Sequence, residues 1–213
     1  MLLAHFFKPS PYEQILDLGS GCGIISLILA YRWPRISIAG LELQPRLAEL
    51  ARQNIAENHL GDRVLVVEGD LREIGNIFES ASFDRVVCNP PYRKSGASRL
   101  NPEAEQAIAR HEVMADLDEI VKAGNMVLVD GGRFDLIYPS ERAVELQEKL
   151  LVAGCPAARL REIYAYPGAL CRLVLVEAVK GGGGSVPDTL APLYVRNRKD
   201  GEFTAEMAGF YEP

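Results

Sequence analysis

The sequence predicts an α/β fold: a mainly parallel seven-stranded sheet, closed by a C-terminal antiparallel hairpin, with helices on both faces. Three observations carry this. Short β-type runs alternate with helical runs through the first half of the chain, the pattern of crossover connections in a parallel sheet. A glycine-rich turn, Gly19-Ser20-Gly21-Cys22-Gly23, joins the first strand to the first helix. Two β-rich segments late in the chain, residues 159–165 and 171–179, meet at Pro167-Gly168 with no room for a helix, so they pair antiparallel.

Residues 14–18 form a short apolar strand that ends at the glycines, and residues 23–33 a helix stopped by Pro34. Residues 35–41 are β-rich. Leu47, Leu50, Ala51 and Ile55 recur at helical spacing over residues 45–58. Residues 64–67 and 83–88 are the third and fourth strands, the latter ended by Asn89-Pro90-Pro91. Residues 102–123 read as helical, with a break near residues 111–116. Residues 133–138 read as a strand, and residues 141–151 as a helix with Val144, Leu146, Leu150 and Leu151 on one side. The glycine run 181–185 has the composition of a flexible linker. The expected organisation is one catalytic-type domain over residues 1–180, with a linker and tail over 181–213 packed on or beside it.

The 213 residues, 48% hydrophobic and 24% charged, suit one domain and exclude disorder. The longest mostly apolar stretch, residues 23–31, is far below the roughly 20 a membrane helix needs. The opening residues lack a basic lead and a cleavage site, which points to the cytoplasm. The four cysteines and three histidines have no metal-ligand or redox spacing, so no metal is expected. At a net charge of −6, a nucleic-acid contact has to come from a local patch.

The glycine spacing is G-x-G-x-G with Asp17 two residues ahead, unlike the G-x-G-x-x-G of dinucleotide folds. Asp17, Glu42 and Asp70 stand at successive strand ends, where an open α/β sheet binds its ligand. Three carboxylates there repel a diphosphate and suit a cationic adenosine ligand, with Glu42 placed to take a ribose. Asn89-Pro90-Pro91-Tyr92 adds chemistry for an amino nitrogen. The Asn89 side-chain oxygen and the Pro90 carbonyl can accept the amine N–H groups, Pro91 stiffens the loop, and Tyr92 can stack on a flat substrate.

This constellation resembles the class I S-adenosylmethionine-dependent methyltransferases, with their Rossmann-like fold, over residues 15–180. The resemblance implies S-adenosylmethionine as cofactor, held by Asp17, Gly19, Ser20, Gly21, Gly23, Glu42, Leu43, Asp70, Leu71 and Asn89, with Asp70 and Leu71 beside the adenine. It implies methylation of an exocyclic amino nitrogen. The runs Asn89 to Lys94, Asn101-Pro102-Glu103 and Ala109-Arg110-His111-Glu112, the opening Leu2 to Phe6 and the tail residues 200–204 are similar to the bacterial family that methylates adenine N6 beside the anticodon of a valine tRNA. That family usually carries a longer segment than the 14 residues ahead of Ile15. The resemblance makes tRNA the expected partner, with Arg93, Lys94, Arg99, Arg110 and His111 as a basic rim. A protein-glutamine N-methyltransferase, and a non-catalytic cofactor- or RNA-binding module, are the alternatives. Monomer and homodimer both stay open.

Overall fold

A computed structural model describes residues 1–90 and 115–211. Strands β1 (Gln14–Leu18), β2 (Ser37–Glu42), β3 (Val64–Glu68) and β4 (Phe83–Cys88) are parallel neighbours, joined by right-length crossovers. Helix α1 (Ile24–Arg32) links the first pair and α2 (Pro45–Glu57), with proline at its first turn, the second. Between β3 and β4 the crossover is a 3-10 turn, Leu71–Glu73, and one helical turn, α3 (Ile74–Ile77).

Helix α4 (Leu117–Val127) starts at a capping box in which Asp116 and Glu119 each accept the other's backbone N–H, which sets its first residue. The expected helix begins at 102; its part up to 114 lies outside the described residues, and the observed helix runs four residues beyond 123. The strand expected at 133–138 is longer, β5 (Leu128–Pro139), because it starts where α4 ends and bulges past Gly131 and Gly132. After a 3-10 turn at Ser140–Arg142 come α5 (Ala143–Val152), β6 (Ala157–Tyr164) and β7 (Cys171–Val179), the last two an antiparallel hairpin.

The sheet order is β3-β2-β1-β4-β5-β7-β6, the expected seven strands, with two short additions on its far edge. These are β8 (Asp188–Thr189) and β9 (Leu193–Tyr194), which both pair parallel with β6; helix α6 (Ala205–Gly209) follows. A two-residue strand has no periodicity to read, so the sequence does not reveal them.

Alternation along the strands sends Leu16, Leu18, Val86, Cys88, Phe134 and Leu136 to one face, under α3, α4 and α5. Ile15, Val87, Ile137 and Leu175 go to the other, under α1, α2, the N-terminal turn and α6. On that second face β4, β5 and β7 also bury charge. Arg85, 1% exposed, bonds Glu13 and Asp135 and lies 3.5 Å from Glu177, which in turn takes both 2.8 Å bonds of the Arg159 fork. Burial pushes the Asp135 carboxyl up to about 7, with Arg85 pulling the other way. The Phe7 ring caps the Arg85 guanidinium at 4.2 Å. Among the described residues no helix is long and apolar enough to cross a membrane.

Candidate active site

The parallel register fixes the site. Leu18 stands opposite Leu41 and Cys88, and Glu42 opposite Glu68. Gly19, Glu42, Glu68 and Asn89 therefore stand at one level across four adjacent strands about 4.8 Å apart, with Leu43 and Gly69 one residue beyond. This is the crevice at the carboxyl ends of the strands, where open α/β sheets hold ligands.

The loop after β1 is shaped by backbone bonds. The N–H groups of Gly19 and Ser20 both donate to the Leu41 carbonyl, at 2.9 and 3.0 Å, and the Asn54 amide holds the Cys22 carbonyl at 2.9 Å. Gly19 and Gly21 have φ of +77° and +56°, with nothing within 4 Å of an added Cβ, so their glycines leave an open cradle. At Gly23, φ +82°, an added Cβ would come within 3.2 Å of the Ala51 Cβ, which forces glycine where α1 starts against α2.

Glu42 is the organiser of this loop. Its residue is 6% exposed, and its two oxygens accept different backbone donors, Gly21 N–H at 2.8 Å and Gln44 N–H at 2.9 Å. Each oxygen keeps a further lone pair. Asp17, fully buried, accepts from the Ser26 hydroxyl at 2.7 Å and the Ser26 N–H at 3.2 Å through one oxygen; its other oxygen has no hydrogen-bond partner among the described residues. Burial pushes the Asp17 carboxyl up to about 6, partly offset by Ser26. The same burial raises the Cys88 thiol, so this cysteine is no nucleophile at neutral pH.

Asp70 is tied locally. Arg72 donates its backbone N–H at 2.9 Å and its guanidinium to both carboxylate oxygens, which holds the acid below its usual range. Leu43, 38% exposed, and the half-buried Leu71 offer apolar surface beside Glu42 and Asp70. Asn89 is exposed and Pro90 buried at the end of β4.

The expected residues Asp17, Gly19, Ser20, Gly21, Gly23, Glu42, Leu43, Asp70, Leu71, Asn89 and Pro90 thus share one edge of the sheet. Pro91, Tyr92, Arg93, Lys94, Arg99, Arg110 and His111 lie outside the described residues. Ser26, Gln44, Asn54 and Arg72, which hold the site together, are not evident from sequence. Only Arg72, two residues after Asp70, carries a local signal, an acid and base within one turn. Among the described residues no group of three His, Cys, Asp or Glu is placed to hold a metal.

The geometry fits an S-adenosylmethionine-type ligand. Among the described residues the glycine loop has no lysine or arginine to take a phosphate, the Arg72 guanidinium at this edge being spent on Asp70; there are a buried Asp17 oxygen without a partner among the described residues, carboxylate lone pairs at Glu42 and two apolar side chains.

Residues 1–145 match the family model of the methyltransferase small domain. The chain is similar to the tRNA1(Val) (adenine(37)-N6)-methyltransferase of Porphyromonas gingivalis, 32% identical over 78% of this chain and 65% of that protein. The enzyme of that name from Bacteroides fragilis strain YCH46 is 27% identical over 99% of this chain and 88% of its own length. The fold is that of a crystal structure of a predicted O-methyltransferase from Agrobacterium tumefaciens, with a TM-score of 0.78 at 21% identity, covering 98% of this chain and 93% of that one.

Proposed function

Because this chain belongs to the methyltransferase small domain family of class I S-adenosylmethionine-dependent methyltransferases, we propose that it methylates the exocyclic N6 of an adenine in tRNA, in the anticodon loop. The observation that carries this reading is the register of β1 against β4: it sets Asn89 one strand spacing from the glycine cradle. The names of its relatives in Porphyromonas and Bacteroides support the substrate.

Bound in the cradle, the cofactor supplies a sulfonium methyl group to a nucleophile. The chain's own residues do the rest. Glu42 holds the ribose hydroxyls with the lone pairs that Gly21 and Gln44 leave over. Asp17 sets the charge of the cradle floor, and Leu43 and Leu71 cover the adenine faces. Arg72 keeps the Asp70 carboxylate ionised and aimed, so an adenine amine on Asp70 shares it with Arg72.

The substrate amine is a weak nucleophile, since its lone pair is delocalised into the ring. The Asn89 side-chain oxygen and the Pro90 carbonyl accept its two N–H protons, which turns the lone pair out of the ring plane towards the cradle. Tyr92, outside the described residues, is the side chain proposed to stack on the base. The nitrogen would gain the methyl as the methyl–sulfur bond breaks, leaving S-adenosylhomocysteine, and would release a proton to water. Catalysis is positioning and electrostatics, with no covalent enzyme intermediate. A base in an anticodon loop is single-stranded and can be turned out at modest cost.

The test is transfer of labelled methyl from S-adenosylmethionine to unmodified tRNA and, in parallel, to a release-factor fraction. Label recovered as N6-methyladenosine, falling about 10²-fold in Asn89→Ala, is the expected result. Label in protein glutamine instead overturns the substrate, and an Asn89→Ala variant within three-fold of the parent overturns the mechanism.

A further inference from the structure

A second surface lies at the other end of the same strands. A groove of about 700 Å³ opens on the α1 face of the sheet, between the N-terminal residues and the start of β4, β5 and β6. Its walls carry Lys8, Arg32, Arg85, Arg133 and Arg159, against one lining carboxylate, Glu177. Arg85 and Arg159 are committed to the buried acids, and Arg133 is loosely paired with one of them, but Lys8 and Arg32 are not. Lys8 and Arg32 have no carboxylate partner among the described residues; Arg32 reaches the His5 ring and Lys8 sits 5.6 Å over Trp33. Arg133 is half-exposed and 3.7 Å from Glu177, an acid it shares with Arg159 and Arg85, so much of its guanidinium faces solvent.

Trp33 also lines the groove. The indole N–H of Trp33, at the end of α1, is buried without an acceptor among the described residues. The groove therefore offers positive charge, with Lys8 and Arg32 free of carboxylates among the described residues, in a chain whose net charge is −6. Its complement is a ligand made of acceptors and negative charge, with flat apolar parts for Trp33 and Phe6.

The position narrows the class. Arg85 is four residues before Asn89 on one straight strand, about 13 Å away. A peptide carrying a side-chain amide needs only to reach the crevice. An RNA stem repeats its phosphates along its length, so a surface this far from the reacting base meets more of them. Arg and Lys contacts of this kind position a nucleic acid without reading its sequence. We propose that the groove of Lys8, Arg32, Trp33 and Arg133 holds the sugar-phosphate backbone of the RNA substrate and sets its register on the crevice. This rests on the reading of the substrate as tRNA, and it concerns residues separate from the basic rim expected after Tyr92.

The test is binding of unmodified tRNA by the full chain at 50 to 200 mM KCl, with N6-methyladenosine formation followed separately. Each neutralised phosphate contact is worth about 0.7–0.9 units of the slope of log affinity against log salt. The triple variant Lys8→Gln, Arg32→Gln, Arg133→Gln is expected to lower that slope by about 2–3 units. Arg133→Gln alone, on a solvent-facing strand position, lowers it by about one. Melting temperatures check that both variants fold. A slope unchanged within half a unit overturns the groove; if such protein still makes N6-methyladenosine, the substrate reading stands without it. A slope that falls while no tRNA adenine is methylated supports the groove and refutes the reaction. Displacement of tRNA from the parent by poly-glutamate at equal charge concentration, lost in the triple variant, assigns the groove to an acidic protein and also overturns the proposal.

Discussion

Glu42→Gln separates the two tasks assigned to this side chain. Both of its oxygens accept backbone N–H groups, at 2.8 Å from Gly21 and 2.9 Å from Gln44, in a residue 6% exposed. Glutamine has one oxygen, so its NH2 group must face one of these donors. That leaves a buried N–H unsatisfied, at a cost of about 1–3 kcal/mol. At about 2–4 °C per kcal/mol for a chain of this length, the melting temperature falls by roughly 2–12 °C. The second effect is on the ligand. Losing one charge-assisted bond to a ribose hydroxyl costs about 1.5–3 kcal/mol, or about 10- to 150-fold in affinity. The assay is calorimetric titration with S-adenosylhomocysteine beside thermal melting, at temperatures where the variant is folded. Glu42→Asp, which keeps the charge but shortens the reach, should fall between parent and Gln variant. A dissociation constant within two-fold of the parent in Glu42→Gln, with the melting temperature also unchanged, would refute the reasoning on both counts.

Two further outcomes follow from buried charge. Arg85→Ala strands Glu13 and Asp135 in the core, while Glu177 keeps Arg159; removing one partner of a buried pair costs about 3–5 kcal/mol, so melting should fall by roughly 6–20 °C, and a fall under 2 °C would show the acids are not held by it. Asp17 has a folded pKa of about 6 against an ordinary 3.8, so the fold favours its protonated form. That stabilisation is complete below about pH 4 and lost as pH rises through 6, about 3 kcal/mol in all. Urea titrations at pH 4, 5.5 and 7 should show parent stability dropping by that amount relative to Asp17→Asn, and a pH-independent difference would refute it.

Much of the crevice is legible in the chain because its signals are local. Gly19, Gly21 and Gly23 advertise a backbone that side chains cannot follow, and all three adopt positive φ. The apolar runs of β1 to β4 alternate with helical periods, which implies parallel strands, and parallel strands put Asp17, Glu42, Asp70 and Asn89 at one edge. Cys171–Val179 and its partner are legible as a hairpin from the short turn between them.

Tertiary structure alone decided the rest, because it depends on groups far apart in sequence meeting at a set register. Arg85 reads in sequence as one polar residue inside an apolar strand; only pairing with β1 and β5 brings it to Glu13, 72 residues away, and Asp135, 50 away. The groove is likewise assembled from Lys8, Trp33, Arg133 and Arg159, whose spacing carries no motif. Strands of two residues, β8 and β9, exist only because the exposed edge of β6 offers them a ladder. Local sequence sets backbone conformation and which face is apolar, and so determined the fold class and the sheet edge where the glycine loop and the acids gather. Long-range charge pairing has no period, so the ion cluster and the groove beside it appear only when the sheet is assembled.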